Sequence, residues 1–383
     1  MTDRKKLLFI TGSRGEWGYI RPILRMIEKS DQLSYSICVT NMHLLPTYGL
    51  SLAEIESDGF KVDYKVYMSF DGYNHVTQIK SLGSFLSSMA DILASSKPDW
   101  IILAGDRGEQ LMGAIAGAFC YIPVAHIQAG ELSGNIDGMT RHAIGKYAHL
   151  HFASNEDAAK RLILLGEEPF RVHNVGAPQV DELVQGMFTP KEELTQQYGI
   201  NFSRPFILIV QHPVTEEFNL AQSQIDATMA ALRQFDLPKI VILPNNDAGS
   251  LMIREGIDRH RHGEFHVFAN LKRQEFLGMM KLSACMVGNS SSALLEAPTF
   301  ELPAVNLGRR QNNRLQGKNV ITAPFDEYSI RAAIEQALSS QFRQSLRGKC
   351  PNPYGDGHST SRIVKLLAET RITDKLLVKN LTY

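Results

Sequence analysis

The chain has 383 residues, too many for one ordinary core, so two domains of roughly 150–200 residues are expected. Its 40 basic and 40 acidic residues cancel, so no global field favours nucleic acid or an acidic membrane, and an anionic ligand needs a local cluster. Four scattered cysteines, with no CxxC pair or Cys/His zinc spacing, point to a reduced, cytoplasmic protein without a structural metal, and no apolar run is long enough for a signal peptide or a membrane span.

Residues 6–10 read as a buried strand, broken by Thr11-Gly12-Ser13-Arg14-Gly15-Glu16. A helix over 18–30 follows, with Ile20, Ile23, Leu24 and Ile27 at helical spacing. The glycine-bearing turn offers backbone N–H groups to an anion and Arg14 adds charge. It is neither a GxGxxG fingerprint nor a Walker loop, and an ordinary βα turn reads the same way. A strand (34–40), a helix (51–58), a short strand (61–66), a polar loop (68–75) and a helix (76–95) come next.

The most informative stretch is 100–151. Apolar runs at 100–104 and 122–127 flank a helix-compatible segment, 109–120, and end in Gly105-Asp106-Arg107 and Gln128-Ala129-Gly130-Glu131. In such βαβ units ligands bind beyond the carboxyl ends of the strands. Asp106, Arg107, Gln128 and Glu131 belong at that edge, and Asp137, Arg141 and His142 follow shortly after. Acid–base chemistry on a sugar needs two carboxyls in different environments, and Asp106, Glu131 and Asp137 are the candidates, solvated loop charge being the plain alternative. Arg107, Arg141 and His142 can neutralise negative charge or orient a carboxylate. A helix (137–149), a strand (151–153), a helix (158–165) and a strand (172–175) complete a half that reads as a parallel, doubly wound sheet.

Residues 190–205, polar and bounded by prolines, read as a hinge. Strands at 206–210, 239–243, 265–268, 285–287 and 304–307 then alternate with helices at 220–235, 250–260, 273–282 and from 293. The strongest local pattern is Gly288-Asn289-Ser290-Ser291-Ser292, whose hydroxyls and helix N–H groups suit a diphosphate, whereas capping alone needs one serine. Glu296 suits ribose hydroxyls or simply the helix dipole. Of Arg309 and Arg310 one supplies a cation to this edge and the other is solvated. His212, directly after its strand, either reaches a ligand or is structural. The expected architecture is α/β, two facing Rossmann-like doubly wound domains with a cleft between them: 1–190 with the acid–base residues, 191–355 for the nucleotide, and a tail, 356–383, with a helix-compatible run at 361–370. There is no GxSxG elbow for a serine nucleophile.

The segments TGSRGEWGYIRPI, GDRGE, HIQAGELSGNIDGMTRHAIGKYAHLHF, QHPVTEE, LPNNDAGS, GNSSSALLEAP and NLGRRQNNR run from about residue 7 to 315. Through them the chain resembles the UDP-N-acetylglucosamine 2-epimerase family, more closely its hydrolysing branch of the sialic and legionaminic acid pathway type. The resemblance implies a GT-B-like fold whose tail crosses back onto the first domain, a homodimer or homotetramer, a UDP-sugar as the partner, no nucleic acid or membrane partner, and no cofactor or metal. It implies nucleotide-sugar contacts at Arg14, Arg107, His212, Ser290, Ser291, Glu296 and Arg310, with Gln128, Arg141, Gly288 and Asn289 in the same motifs. Asp106 and Asp137 fall on its acid–base positions.

The implied reaction is C2 deprotonation with anti elimination of UDP to a 2-acetamidoglucal, then hydration to N-acetylmannosamine. A poorly acidic C2 proton calls for a general base and an electrostatically stabilised leaving group. Two positions depart from the family: many relatives have glutamate where Gln128 stands, and some have a second acidic residue where Gly138 stands. Glu131 matches a glutamate of hydrolysing relatives and is the candidate to assume the lost role. The departure also admits a UDP-2,4-diacetamido-2,4,6-trideoxy sugar as substrate. A non-hydrolysing epimerase, a GT-B glycosyltransferase and a catalytically silent sensor are the competing readings.

Overall fold

A computed structural model describes residues 4–48, 50–71, 74–380 and 382. Two all-parallel sheets organise the chain. The first is built from β1 (Lys5–Thr11), β2 (Leu33–Thr40), β3 (Tyr64–Val66), β4 (Trp100–Ala104), β5 (Val124–Ala129), β6 (Leu150–Ala153) and β7 (Val172–Asn174), in the order β3-β2-β1-β4-β5-β6-β7. The second uses β8 (Ile207–Val210), β9 (Lys239–Ile242), β10 (Phe265–Phe268), β11 (Cys285–Gly288), β12 (Ala304–Leu307) and β13 (Val320–Ala323), in the order β10-β9-β8-β11-β12-β13. This is the GT-B-like pair of doubly wound sheets.

The strands read as continuous apolar runs because both faces of a parallel sheet are covered by helices. All five residues of β4 are buried, and Ile101 and Leu103 enter one core cluster while Trp100, Ile102 and Ala104 enter another. The first helix, Arg14–Ile27, buries Trp17, Ile20, Ile23, Leu24 and Ile27, a stripe at helical spacing that packs on β1 and β2. It starts four residues earlier than the spacing of its isoleucines suggests, because Ser13 and Glu16 close a capping box.

One compact unit holds the described residues up to Leu132, Ile136–Glu182 and those from Tyr354 onward; the other holds Ser133–Asn135 and Leu183–Pro353. The chain therefore returns to its first unit after completing the second. Helix Ser359–Glu369 places Ile363 and Leu367 in the first core, and Lys5 Nζ donates to the carbonyls of Leu367, Ala368 and Thr370 at the end of that helix (3.2, 2.5 and 2.7 Å).

The structure corrects the reading of 190–205 as a hinge: it contains helix Lys191–Tyr198, inside the second unit. That helix buries only Leu194, so it carries no periodic apolar stripe to announce it. Strand β13 and helices Pro178–Val184 and Glu327–Leu338 are further elements the sequence pattern did not reveal. Of the polar loop at 68–75, Gly72 and Tyr73 lie outside the described residues.

Within the first unit a buried charge cluster joins the first helix to helix Pro178–Val184. Arg21 contacts Glu182 at 2.7 Å and Asp58 at 3.1 Å, with Arg21 and Glu182 both almost fully enclosed. Removing one partner of a buried pair strands the other, at a cost of about 3–5 kcal/mol. Arg21→Met is expected to lower the urea midpoint of the first unit accordingly, and adding Glu182→Met is expected to restore part of the loss. Equal midpoints for wild type and Arg21→Met would refute the assignment.

Candidate active site

In the first sheet the strand order reverses between β1 and β4, which are neighbours, and in the second between β8 and β11. Ligands of open α/β sheets bind outside the carboxyl ends of the strands at such reversals. The turns leaving β1 and β4 are Gly12–Ser13 and Gly105–Arg107; those leaving β8 and β11 are Gln211–Pro213 and Asn289–Ser291.

Arg141 assembles the edge of the first sheet. It lies on helix Ile136–Tyr147, is 3% exposed, makes a short ion pair with Asp106 Oδ2 and donates from Nη1 to the Gln128 carbonyl at 2.9 Å. One guanidinium thus joins the end of β4, the end of β5 and a helix. The Gly105–Asp106 turn is held from below by His126, whose Nε2 lies 2.6 Å from the Gly105 carbonyl. A carbonyl only accepts, so Nε2 carries the proton; burial foremost pushes the imidazole down to about 3, with Arg141 adding to it, and the ring stays neutral.

Asp137 sits in the first turn of the helix that carries Arg141 and is half-buried. Glu131 takes a different position. It is 2% exposed, and its Oε1 accepts from Ser154 Oγ at 2.5 Å and from Asn155 Nδ2, which ties it to the end of β6. Gln128 is buried at a bulge in β5 with φ of +64°, a left-handed conformation unusual for a residue with a side chain. Its Nε2 lies 3.4 Å from Oε1 of the equally buried Gln179.

Behind Asp106 stands a carboxyl group that the site reading from sequence omitted. Glu16 is 2% exposed, and its Oε2 accepts from the Gly12 and Ser13 amides at 2.5 and 3.2 Å. Glu109 adjoins Gly12, where an added Cβ would overlap its carboxylate, and it accepts from Asn41 Nδ2 and Arg107 Nε, both at 3.1 Å. Burial first, then the neighbouring Glu109 charge, raises Glu16 well above the ordinary carboxylate range, against opposing contributions from Arg107 and the Gly12 amide. The S-x-x-E signature of Ser13–Glu16 was the available signal for this residue. Arg107 therefore points to Glu109, and Arg14 is depressed to about 10, chiefly by burial, with Glu54 opposing. His43 bridges Thr11 Oγ1 (2.9 Å) and Ser51 Oγ (2.7 Å), and burial lowers it to about 3.

In the second sheet Asn289, fully buried, is the organising residue. Its Oδ1 accepts from the His212 amide at 2.7 Å and its Nδ2 donates to the His212 carbonyl at 2.8 Å. The Asn289 carbonyl accepts from Arg310 Nη1 (3.3 Å) and Gln311 Nε2 (2.9 Å). His212 Nδ1 accepts from the Asn245 amide at 3.1 Å, so a neutral His212 carries its proton on Nε2. The ends of β8, β9, β11 and β12 are thereby tied together. Gly288 is required where β11 meets β8: φ is +136°, and a Cβ would overlap the Val210 carbonyl.

The serine run differs from its expectation in one respect. Ser292–Leu295 is a single α turn followed by a 3-10 turn, Ala297–Phe300, so no long helix dipole stands behind Ser290 and Ser291. Glu296 ends that turn rather than lying within a helix; it is 4% exposed and 2.5 Å from Arg273, the first residue of helix Arg273–Leu282. Arg309, expected to be solvated if Arg310 is not, is also engaged. It pairs with Glu217 and donates to the Gly134 carbonyl at 2.9 Å, while the Gly134 amide donates to the Arg310 carbonyl at 3.0 Å.

The structure brings together Asp106, Arg141 and Gln128 in one sheet edge and His212, Asn289 and Arg310 in the other. Glu131, Arg107 and Arg14 are engaged with neighbours of their own. Gln179 and Arg273 had no local sequence signal, because each is far in the chain from the residue it touches, whereas Asn245 falls in the LPNNDAGS segment.

The linkage from Glu16 has a definite sign. A carboxyl whose folded value is raised contributes stability at low pH that is lost as pH rises through that value. As pH rises above the ordinary carboxylate range, the melting temperature of the wild type is expected to fall more steeply than that of Glu16→Gln, by calorimetry. Parallel curves would contradict a raised Glu16.

A family model described as UDP-N-acetylglucosamine 2-epimerase matches residues 25–368. The chain is 35% identical over 376 residues to a UDP-N,N'-diacetylbacillosamine 2-epimerase (hydrolyzing) of Legionella pneumophila, covering 98% of each chain. It is 33% identical over 335 residues to a UDP-N-acetylglucosamine 2-epimerase of Neisseria meningitidis, covering 88% of each. In fold it is similar to the crystal structure of a UDP-GlcNAc 2-epimerase from Neisseria meningitidis bound to UDP-GlcNAc, with a TM-score of 0.80 at 20% identity, covering 95% of this chain and 100% of that one.

Proposed function

The chain belongs to the UDP-N-acetylglucosamine 2-epimerase family, and from that premise we propose a hydrolysing 2-epimerase of a UDP-2-acetamido sugar. UDP-GlcNAc is the first substrate of this reading, converted with water to N-acetylmannosamine and UDP. The observation that carries it is the Asp106–Arg141 pair, with Asp137 on the helix that bears Arg141.

The residues divide the work as follows. Asp106, presented as a carboxylate by Arg141, removes the C2 proton, and elimination expels UDP from C1 to leave the 2-acetamidoglucal. Asp137 handles the second proton transfer, returning a proton to C2 as water adds to C1. His126 stays neutral and fixes the Asp106 turn without exchanging protons itself. Ser290, Ser291, His212 and Arg310 bind the diphosphate, with Gly288 and Asn289 shaping their loops, and Glu296, aligned by Arg273, takes the ribose hydroxyls. Hydrogen-bond donors and cations at the departing oxygen stabilise the leaving group where charge develops.

Gln128 cannot exchange a proton, and Glu131 is fixed by Ser154 and Asn155. We therefore assign Glu131 to shaping the loop before Asp137, and leave the proton transfers to Asp106 and Asp137. A second substrate, UDP-2,4-diacetamido-2,4,6-trideoxyglucose, is supported by the similarity to the Legionella pneumophila enzyme and by the amide at Gln128. The same chemistry serves both, since each sugar carries its acetamido group at C2.

Incubation with each UDP-sugar in D2O, followed by NMR, is expected to give free UDP and a C2-deuterated 2-epimer of one sugar. A UDP-linked epimer would replace the hydrolysing reading by the non-hydrolysing one, and turnover of neither sugar would sink the proposal. Asp106→Asn is expected to lower kcat by about 10²–10⁴-fold with UDP affinity by calorimetry within about threefold. A large loss of UDP affinity would remove Asp106 from the acid–base role.

A further inference from the structure

Residues 374–380 and Thr382 lie at the far end of the chain from every motif discussed so far, yet they are fastened to the helix that carries Asp137 and Arg141. Two cations make the attachment, Arg171 fully buried and Lys379 partly so. Arg171, fully enclosed, donates from Nη1 to the Leu376 carbonyl at 2.6 Å and from Nη2 to the carbonyls of Lys375 and Val378 at 2.9 and 2.8 Å, which grips the backbone of the tail. From the tail Lys379 reaches back. Its ammonium lies 2.8, 3.1 and 2.6 Å from the carbonyls of Gly145, Lys146 and Ala148, and 2.7 Å from Glu167 Oε2. The Thr382 amide adds a bond to the Gly166 carbonyl at 3.1 Å.

Gly145, Lys146 and Ala148 stand at the carboxyl end of helix Ile136–Tyr147, where the last carbonyls have no partner within the helix. A cation there satisfies those acceptors and opposes the negative end of the helix dipole. Glu167 completes the arrangement, accepting also from His151 Nε2 at 3.0 Å and Lys146 Nζ at 3.1 Å, so the same carboxylate anchors the helix, β6 and the tail.

The geometry matters because Arg141 lies one helical turn, about 6 Å, before Gly145. Sliding or fraying of the helix end moves Arg141 relative to Asp106 and Asp137 relative to the sheet. A displacement of about 1 Å in such a group can cost on the order of 100-fold in rate.

We infer that Lys379 is a positioning residue: the tail at 374–380 caps the acid–base helix and holds Asp137 and Arg141 in register with Asp106. The inference rests on the roles given above to those three residues.

The test compares Lys379→Met, which keeps the packed stem, with Lys379→Arg and with Lys375→Ala, whose side chain takes no part in the cap. With whichever UDP-sugar the wild type turns over, Lys379→Met is expected to lower kcat at least 10-fold with KM changed less than threefold. Lys379→Arg is expected to recover most of that loss, and Lys375→Ala to match the wild type. Amide hydrogen exchange of residues 138–148 is expected to quicken at least 10-fold in Lys379→Met alone, with an unchanged far-UV spectrum confirming that the fold survives. Unchanged exchange would overturn the cap, and faster exchange with unchanged kcat would overturn the positioning role. Should the wild type turn over neither sugar, the epimerase reading fails by itself and with it the register argument, while exchange still decides whether Lys379 holds the helix.

Discussion

A single guanidinium carries the geometry of the proposed acid–base edge. Arg141 is almost wholly buried and spends its donors on the Asp106 carboxylate and the Gln128 carbonyl, so the ends of β4 and β5 and one helix are set by one group. A buried cation of this kind is tolerated only when its partners are in place. The dependence runs both ways, because Asp106 is also held from its backbone side by neutral His126 through the Gly105 carbonyl. The geometry of this proposed site is therefore made by packing and desolvation as much as by the charges themselves.

The second unit ties its strand ends together largely through amide groups. Asn289 acts as a two-pronged clamp on the backbone of His212, and its own carbonyl gathers Arg310 and Gln311. Because buried amides must be satisfied, these bonds specify the relative heights of the β8 and β11 turns without any long-range charge. Because the single α turn after the serines has little dipole, the proposed anion binding falls to hydroxyls, arginine and local amides.

Long-range ties recur in both units and share one logic. Arg21 with Glu182, Lys5 at the end of helix Ser359–Glu369, Arg171 with the tail and Arg273 with Glu296 each join segments far apart in sequence through a buried or half-buried ion. Each costs desolvation that its partners must offset, through several hydrogen bonds at once for Arg21, Lys5 and Arg171, which makes these ties sensitive to loss of one partner. They are also the reason that a chain whose last segment returns to its first unit can keep that segment in a fixed place.

The sequence by itself determined the alternation of strands and helices, since buried parallel strands must be continuous apolar runs and their helices must carry a stripe of period 3.6. It also located the turns that matter, Gly105–Arg107, Gln128–Glu131, Gln211–Pro213 and Gly288–Ser292, because polar and glycine residues cluster where a strand ends at a sheet edge. Elements without such patterns, helix Lys191–Tyr198 with one buried residue and the half-buried edge strand β13, stayed illegible.

Only the tertiary structure decided which side chain faces which. Asp106 meets Arg141 across 35 residues, Arg273 meets Glu296 from another element, and Glu131 turns to Ser154 and Asn155. Glu16, a readable helix cap, is pushed well above the ordinary carboxylate range by burial first and then by Glu109, which folds in beside Gly12. Local sequence sets the backbone's periodicity, whereas burial and the distance between charges are properties of the packed chain, and those are what give each ionisable group its state.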